Sequence, residues 1–586
     1  MSSLTALAPL IKLLIKVLGI PAVILWEFQA TAPNKLNKLQ LVGSYLIGVA
    51  FYLCFKINLS RWRISRRAKA HGATVIPRVR GRWIFNIDIL KEIQAKFFVT
   101  PPGTAMLDFQ ERTGSKTLDT AVLGGSLIMT SDHLIAKHIL TGNSFNNYGK
   151  GDFFKQMMFE MFGTGIFNSD GDRWKAHRNM ARPYFAMEKI SDFETFNRHT
   201  THLLEIIDKR SSSPGTSSAH SNGAVEIQDL FGRFTLDSAT EFLMNGAVDS
   251  LSEVGTAGKT EGPSTTFLNS FGSIQKHSAR RGRLGPIWPL LELGSNTNPA
   301  NLKIINVLID KLVDKALAKS EGADADEKEA SSLIDSLVQR TRDPKVIKDQ
   351  VINILLAARD TTMSALTFSI YNLARHPIIL AKLRAEIINA IGKDTVPTYE
   401  DARSMVYLRA FINEVLRMYP PVPFNSRQSI NDDVCVDNEG VRHFIPGGTR
   451  VRFTQPRAQK LYLANSSALQ FNYSLYLMQR RTDLWGDDAL TFDPNRWVDE
   501  RKEIQKTNPF IFQPFSAGPR ICLGQNFAYN EISFALIRIL QQYDGIEIAY
   551  DVQPPESVLE NKELLPFIQI ILFITGGLWV RMQKAE

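Results

Sequence analysis

The chain has 586 residues, a net charge of +9 and three cysteines. This length can bury a large core in one domain or two, and three scattered cysteines argue against a disulfide framework or a multi-cysteine zinc site. The first hundred residues carry fifteen Lys or Arg against three Asp or Glu, so the basic charge belongs to the N-terminal arm. This distribution favours an anionic membrane surface and argues against a nucleic-acid-binding face.

The N-terminal arm contains two apolar runs. Leu39 to Leu59 is long enough for one tilted membrane span, and the basic cluster that starts at Arg61 predicts a cytosolic flank. Leu4 to Phe28 contains two lysines four residues apart, so it is either a first span or an amphipathic helix in the interface. We favour the interfacial helix. We predict an anchor and basic linker over residues 1–75 and one globular domain over residues 76–586.

Short elements open the globular domain. Val122 to Thr130 predicts a strand and Asp132 to Ile139 a short helix. Trp174 and Arg178 lie four residues apart, so they share one helix face. Such a pair, taken alone, is most often a surface cation–π contact. Val225 to Met244 predicts an amphipathic helix.

The longest helical pattern runs from Asp343 to His376, roughly 50 Å at 1.5 Å per residue. Asp343 is placed as the N-cap and Pro344 as the first helical residue. Asp360 and Thr361 interrupt its apolar middle. A buried acid or hydroxyl costs free energy unless it has partners, and a threonine that bonds back to the backbone can open a helix locally. Solvent-facing polar residues are the alternative interpretation.

Three features follow the long helix. Glu414 and Arg417 are three residues apart among apolar neighbours, which predicts a buried ion pair that needs more hydrogen-bond partners. Arg427 follows a proline-rich turn. The apolar run Leu565 to Val580 is short for a membrane span and predicts paired strands or core.

A ten-residue loop from Phe515 reads Phe-Ser-Ala-Gly-Pro-Arg-Ile-Cys-Leu-Gly. A thiolate that binds haem iron needs small flanking residues, amide donors and a nearby cation. Gly518 and Gly524 flank Cys522, Arg520 precedes it, and Phe515 can shield the sulfur from water. The helix that follows directs its positive N-terminus at the sulfur. A lone Cys-x-Gly would indicate a structural cysteine, whereas the full pattern predicts that Cys522 is an iron ligand.

This loop resembles the haem-binding loop, Phe-x-x-Gly-x-Arg-x-Cys-x-Gly, of the cytochrome P-450 superfamily. The segment around Asp360 resembles the family's oxygen-activating groove, with Ala358 where glycine is usual. The resemblance covers roughly residues 75 to 586, and the helix from Val225 is similar to the fungal membrane-bound branch that hydroxylates alkanes and fatty acids. It implies the mainly α P-450 fold, with a minor β-sheet near the N-terminal half and an N-terminal membrane anchor.

The resemblance also implies residue roles. Cys522 would be the axial ligand of the iron, Asp360 would carry protons, and Thr361 would hold the oxygen ligand. Arg496 would complete a structural triad with the Glu414–Arg417 pair and hold the cysteine loop. Phe424 and Asn425 would line the substrate pocket. The residues expected to bind haem b are Trp174, Arg178, Arg427, Phe515, Gly518, Arg520, Cys522 and Gly524.

The function implied is monooxygenation of lipophilic substrates such as fatty acids, alkanes or xenobiotics. Electrons would come from NADPH-cytochrome P-450 reductase, since the chain has no visible flavin or nicotinamide motif. The expected location is the endoplasmic reticulum membrane, with the haem domain facing the cytosol. A haem-thiolate isomerase or dehydratase is one alternative, against which Asp360 and Thr361 argue. A non-catalytic haem sensor, which would bind haem without NADPH-dependent turnover, is another.

One segment departs from the family pattern. The strand that starts at Pro446 should continue directly into Phe471, but the nineteen residues Arg452 to Gln470 intervene. They show no helical or strand period, and a structureless insert of this length is uncommon in a compact domain. An unspliced intron and a genuine surface loop both stay open.

Overall fold

The computed structural model describes residues 3–32, 35–83, 86–122, 126–185, 193–212, 223–246, 248–254, 262–285, 288–292, 298–320, 332–448 and 470–586. The described chain is mainly helical with four small sheets, which confirms the predicted fold class.

The helices vary in length from single turns to α2 and α15, the two longest. In chain order they are α1 (Ser3–Thr31), α2 (Lys38–Ala70), α3 (Ile87–Phe97), α4 (Thr104–Thr113), α5 (His133–Leu140), α6 (Asp152–Met157), α7 (Phe159–Phe162), α8 (Gly171–Ala181), α9 (Glu194–Ser211), α10 (Ile227–Met244), α11 (Pro263–Leu284), α12 (Trp288–Leu291), α13 (Asn298–Lys319), α14 (Leu333–Val338), α15 (Pro344–Arg375), α16 (Pro377–Ile391), α17 (Tyr399–Ser404), α18 (Val406–Met418), α19 (Leu475–Met478), α20 (Thr482–Trp485), α21 (Lys502–Thr507) and α22 (Gln525–Gln542).

The strands are short and pair over long sequence distances. They are β1 (Thr74–Val75), β2 (Thr117–Asp119), β3 (Leu127–Thr130), β4 (Tyr148–Gly149), β5 (Val225–Glu226), β6 (Phe424–Ser429), β7 (Asp433–Val436), β8 (Arg442–Ile445), β9 (Gln470–Ser474), β10 (Tyr543–Ile548), β11 (Pro566–Ile568), β12 (Leu572–Ile574) and β13 (Trp579–Lys584). The sheets have the orders β1-β8-β7, β10-β13-β5, β11-β12 and β2-β3-β9-β6-β4.

Two strand predictions need correction. The largest sheet is not confined to the N-terminal half, because β6 and β9 of the C-terminal half pair with β4 and β3. The strand predicted from Val122 begins only at Leu127. The prediction of paired strands over Leu565 to Val580 is confirmed by the β11–β12 hairpin and by the start of β13.

Helix α15 has the ends that the sequence predicts. The Asp343 side chain accepts the backbone amides of Lys345 and Val346, Pro344 occupies the first turn, and the helix ends at Arg375. Helix α10 packs along it. The predicted amphipathic character of α10 is wrong, because most of its residues are buried, including the charged Arg233 and Asp237.

The two N-terminal apolar runs form helices that pack against each other. Asn37 and Gln40 cap the start of α2 reciprocally, and the Tyr45 hydroxyl donates to the Leu18 carbonyl at 3.0 Å. Windows in both helices are long and apolar enough to cross a membrane. Arg67, near the end of α2, pairs with Asp432 of the globular body. Whether α1 lies in the interface or spans the membrane stays a prediction.

The segment Arg452 to Gln470 lies, except for Gln470, outside the described residues. On one side of it the Gly448 amide donates to the Ser429 carbonyl at 3.0 Å. On the other side Gln470 pairs with Gln428, the neighbour of Ser429 on β6. The chain therefore leaves β6 and returns to it at adjacent residues, as expected for an insertion into one strand.

We expect a variant that joins Val451 directly to Phe471 to fold as well as the full chain. The residues on both sides of the junction could still pair with β6. Each halving of the length of a loop changes the free energy of closing it by only about 0.6 kcal/mol. Thermal unfolding of the purified proteins measures this. A Gly/Ser linker of equal length in place of the insert is the control. Unfolding of the shortened variant alone would show that the segment is required.

Candidate active site

The loop that carries Cys522 is held by its own backbone. The Cys522 amide donates to the carbonyl of Phe515 at 3.0 Å, and the Phe515 ring packs on Tyr529 with centroids 5.1 Å apart. Gly518 has φ 68°, and a Cβ there would collide with the Leu140 carbonyl oxygen. Only glycine fits this position. Gly524 is the N-cap of α22 and has a negative φ, which other residues also adopt. Its contribution to the site is therefore its backbone amide.

The Cys522 side chain is exposed to a cavity of about 460 Å³, which Arg182, Phe185 and Leu523 also line. Burial among protein atoms raises the pKa of the Cys522 thiol, whereas the Gly524 amide and the Arg178 guanidinium favour the thiolate. A coordinated metal ion deprotonates a thiol outright. The sulfur is therefore placed to act as a thiolate once a metal is bound.

Trp174 and Arg178 of α8 lie beside this loop, as the sequence predicts. Arg178 donates to the Ile521 carbonyl at 2.8 Å. The guanidinium carbons of Arg178 and Arg520 lie 6.0 and 4.5 Å from the centre of the buried Trp174 ring. Arg520 also donates to Asp170 at 2.7 Å. These contacts bring four of the predicted haem-binding residues together, namely Trp174, Arg178, Arg520 and Cys522.

Arg427 joins them through a residue that the sequence analysis missed, Lys150. Both side chains are buried, and they donate to the same Asn425 amide oxygen at 3.0 and 3.1 Å. Asn425 therefore faces this cluster, although the sequence suggested a substrate-pocket role. Burial, with Arg427 and Arg520 nearby, lowers the pKa of Lys150 well below its usual value. No pattern around Lys150 marks it as buried, so only the tertiary structure reveals it.

The buried cations of this cluster favour an anionic partner. Burial lowers the pKa of Arg520 to about 10, with Asp170 opposing and Arg427 adding to the shift. The Nε atoms of Arg427 and Arg520 are buried without a hydrogen-bond partner among the described residues. Buried cations in excess over carboxylates are costly unless an anion pairs with them. A haem offers two carboxylates and an iron that accepts a thiolate, so the donor set fits haem.

Asp360 and Thr361 form a second polar group within α15. Asp360 is 2% exposed, and its two oxygens accept hydrogen bonds from Arg359 and Gln275 at 2.6 and 2.7 Å. Burial raises the pKa of Asp360, and Arg359 opposes the shift. The Thr361 hydroxyl donates to the Ala357 carbonyl at 2.6 Å, so the predicted back-bonding is confirmed. Gln275 lies on α11 and had no sequence signal.

A second buried acid lies beside Thr362, the residue after Thr361. Burial raises the pKa of Glu531 to about 8, while the Ser238 and Thr362 hydroxyls oppose the shift. Burial of Glu531 on α22 therefore favours its protonated, neutral form. Sequence reasoning missed it because a glutamate within a helix usually faces solvent.

The predicted buried triad is confirmed. Glu414 accepts hydrogen bonds from Arg417 at 2.8 Å, from Arg496 at 3.0 Å and from the Trp497 indole at 3.0 Å. Glu414, Arg417 and Arg496 are all at most 2% exposed. Each charge in this network therefore has a partner.

The triad is connected to the cysteine loop by a chain of hydrogen bonds. Arg417 donates to the Gln479 carbonyl at 2.8 Å, and the Gln479 side chain accepts the Gln513 amide at 3.2 Å. The Ser516 amide then donates to the Gln513 carbonyl at 2.9 Å. This path supports the structural role predicted for the triad.

Comparison with known proteins gives a consistent result. A family model described as Cytochrome P450 matches residues 97–457 and 469–566, so the break falls within the predicted insert. Cytochrome P450 52-E3 of Starmerella bombicola is 32% identical over 539 residues, which is 88% of this chain and 94% of that protein. Cytochrome P450 52A1 of Candida tropicalis is 34% identical and covers 77% of this chain and 79% of its own length. Cytochrome P450 monooxygenase pvhE of Talaromyces variabilis is 32% identical, with 74% and 77% coverage.

We expect Cys522→Ser to remove the absorption at about 450 nm that thiolate-ligated haem shows when it is reduced and binds carbon monoxide. The reason is that, of the three cysteines, only Cys522 opens onto the cavity beside the cation cluster. Difference spectroscopy of the haem-loaded proteins measures this. Cys54→Ser and Cys435→Ala are the matched controls and should keep the band. Retention of the band by Cys522→Ser would contradict the assignment.

Proposed function

Because the chain belongs to the cytochrome P450 family of monooxygenases, we propose that it hydroxylates long, apolar substrates such as fatty acids or alkanes, at or near the chain terminus. The observation that carries the proposal is the combination of one cavity-facing thiol, Cys522, with the acid–hydroxyl pair Asp360 and Thr361 on α15. The similarity to P450 52 proteins of two yeasts supports the fungal membrane-bound branch.

The proposed cofactor is haem b. Haem held through a thiolate supplies reductive activation of dioxygen and insertion of one oxygen atom into a C–H bond. In our assignment Cys522 is the iron ligand, and Phe515, Gly518 and Gly524 shape its loop. The four cationic or aromatic residues Trp174, Arg178, Arg427 and Arg520 bind the haem carboxylates, with Lys150 as a fifth.

We assign Asp360 and Thr361 to proton transfer during turnover. Monooxygenation consumes two electrons and two protons, and it leaves one oxygen atom in the product and one in water. The raised pKa of Asp360 favours a carboxyl that gains and loses a proton during turnover. Thr361 donates its hydroxyl hydrogen to Ala357, so its oxygen keeps lone pairs that accept from a neighbouring group.

The apolar side chains near α6 and α7 support an apolar substrate. Met157 and Met158 are buried in an apolar cluster against which Phe153 packs. Methionine and phenylalanine adapt to long apolar chains and offer few hydrogen bonds. Phe424, at the start of β6, is half-buried and is our further candidate for the pocket. A membrane anchor would give the enzyme access to such compounds.

The proposed partner is NADPH-cytochrome P-450 reductase, and the proposed location is the endoplasmic reticulum membrane. Residues 1–75 would form the anchor and basic linker, and residues 76–586 the haem domain. The arginines at 61, 63, 66 and 67 near the end of α2 would place this flank in the cytosol. The reductase and the haem domain would then share that compartment.

Turnover with a panel of substrates tests the proposed function. We expect NADPH-dependent hydroxylation of a fatty acid and of an alkane in the presence of reductase, with a polycyclic aromatic as the xenobiotic comparison. Mass spectrometry identifies the carbon atom that carries the new hydroxyl group. Turnover of only a compact, polar metabolite would overturn the substrate class. Rearrangement of a hydroperoxide without reductase would favour the isomerase or dehydratase reading.

We expect Thr361→Ala to keep substrate binding but to lower product per NADPH by about tenfold, because the loss of a proton-relay group diverts oxygen to peroxide. Simultaneous measurement of NADPH, hydroxylated product and hydrogen peroxide checks this. Thr362→Ala is the matched control, because Thr362 lies beside Glu531 and not beside Asp360. This variant should form as much product per NADPH as the wild type. Equal coupling in Thr361→Ala and wild type would refute the relay role.

A further inference from the structure

Arg283, in the last turn of α11, is a cation that lies between aromatic rings. Its guanidinium carbon is 5.0 Å from the centre of the Phe97 ring and 5.9 Å from the centre of the Phe98 ring. Both rings also pack on Phe567 of β11, with centroids 5.3 and 5.8 Å apart. The end of α3, the end of α11 and the β11–β12 hairpin therefore meet at this cation. We call these four residues the aromatic patch.

The charge of Arg283 has no carboxylate partner in the part of the chain that the structure describes. The side chain is half-buried, and burial lowers its pKa, with the charge of Arg280 adding to the shift. No described acid raises this pKa or forms an ion pair with the guanidinium. The rings stabilise the cation through their faces, but they do not use its in-plane N–H groups. Those groups can donate in parallel to one carboxylate.

Apolar surface open to solvent adjoins this cation. Phe98 is 56% exposed and Val99, the next residue, is 64% exposed. An exposed apolar surface of this kind is typical of a binding site for an apolar group. A cation that lacks an anion, next to apolar surface, fits a ligand that has one carboxylate and an alkyl chain.

The aromatic patch also adjoins the apolar cluster that we assign to the substrate. Gly282, in the last turn of α11, lies against Met157, because a Cβ at residue 282 would be 3.1 Å from the Met157 sulfur. Ile570, which follows β11 in the hairpin, packs on the same cluster. Leu523, which lines the Cys522 cavity, packs on it as well. Apolar side chains in contact therefore extend from the patch to the cavity of the sulfur.

A buried ion network holds the end of α11 that carries Arg283. Arg281 is 1% exposed, donates to Glu292 at 2.7 and 2.9 Å, and pairs with Glu160 at 2.8 Å. Its guanidinium carbon is 4.4 Å from the centre of the Trp288 ring. Residues two apart on a helix lie on nearly opposite sides of it. Arg281 therefore faces the interior and Arg283 faces the aromatic patch, so the position of the unpaired cation is fixed.

We propose that Arg283 is a specificity-determining residue that binds the carboxylate of a fatty acid, whose alkyl chain runs along the apolar cluster toward Cys522. The inference rests on the proposed function and, within it, favours fatty acids over alkanes. With the carboxylate held at the aromatic patch, the opposite end of the chain would reach the cavity, in accord with hydroxylation at or near the terminus. Arg283 binds the substrate and does not touch the reacting atoms.

Paired ligands and paired variants isolate the contribution of the carboxylate. The ligands are dodecanoic acid and its methyl ester, which share one alkyl chain, and calorimetry on the haem-loaded full chain measures their dissociation constants. Arg283→Met keeps apolar contacts but has no N–H donor, so we expect about tenfold weaker binding of the acid, the loss typical of one charged hydrogen-bond donor. Binding of the ester should not change. Arg283→Lys keeps the charge and should restore part of the acid affinity.

Arg280→Met is the matched control, because it removes the same charge from an exposed position on the same helix. It should bind both ligands as the wild type does. Unchanged binding of the acid by Arg283→Met, or equal losses for acid and ester, would overturn the proposal. Arg283→Gln gives the same comparison if the methionine variant does not fold. A wild-type protein that binds neither ligand nor dodecane would instead contradict the proposed function.

The position of the new hydroxyl group provides a second test. With reductase and NADPH, we expect Arg283→Met to hydroxylate dodecanoic acid at a wider range of carbons than the wild type does. The products from dodecane should be the same for both proteins, because this ligand has no carboxylate. An unchanged product distribution from the acid would refute the binding of its carboxylate at Arg283.

An anionic lipid headgroup is the competing partner for the cation. Nanodiscs of phosphatidylcholine, with or without phosphatidylserine, that carry the wild-type protein or Arg283→Met distinguish the two. We expect the wild type to bind the acid more tightly than Arg283→Met in both kinds of disc. Loss of this difference in the phosphatidylserine discs would assign Arg283 to the membrane surface and overturn the proposal.

Discussion

The buried carboxylate of Glu414 is the point on which the cysteine loop depends. It accepts hydrogen bonds from two buried arginines and from the indole of the half-buried Trp497. Removal of one partner from such a network leaves an unpaired buried charge and costs about 3–5 kcal/mol. The network continues through Gln479 and Gln513 into the loop. Hydrogen bonds therefore connect the loop that carries Cys522 to an ion network built from α18 and the segment Pro494–Trp497.

The buried charges around the cysteine loop differ in sign from those on α15 and α22. Around the cysteine loop, buried cations outnumber carboxylates and favour a bound anion. On α15 and α22 the acids Asp360 and Glu531 are themselves buried, and their pKa values are raised. The first environment suits a thiolate and the carboxylates of haem, and the second suits groups that keep or pass protons. The same fold therefore contains both environments, and they differ in which buried charges have partners.

Local patterns could be predicted from the sequence because their contacts lie within a few residues. The Asp343 cap, the Thr361 back-bond and the Glu414–Arg417 pair are of this kind. Lys150, Gln275 and Glu531 could not be found, since each becomes notable only through a partner on a distant element. Long-range pairing also explains why the sequence did not reveal that β6 and β9 complete the largest sheet.

Helix α10 shows how tertiary contacts override a helical pattern. Its polar residues suggested a solvated face, but Arg233 donates to the Ser250 carbonyl at 3.0 Å. Asp237 accepts the amides of Ser250 and Leu251 at 2.7 and 2.9 Å. These bonds satisfy the charges inside the protein, so the helix is buried on nearly all sides. The sequence does not show which polar residues will find such partners.

In the proposed enzyme the Cys522 sulfur binds the iron of a haem. X-ray absorption at the iron edge of the haem-loaded wild-type protein measures the atoms bound to the metal directly. We expect one sulfur atom bound to the iron in addition to the porphyrin nitrogens. A first shell of nitrogen and oxygen alone, in the folded protein with full haem content, would contradict it.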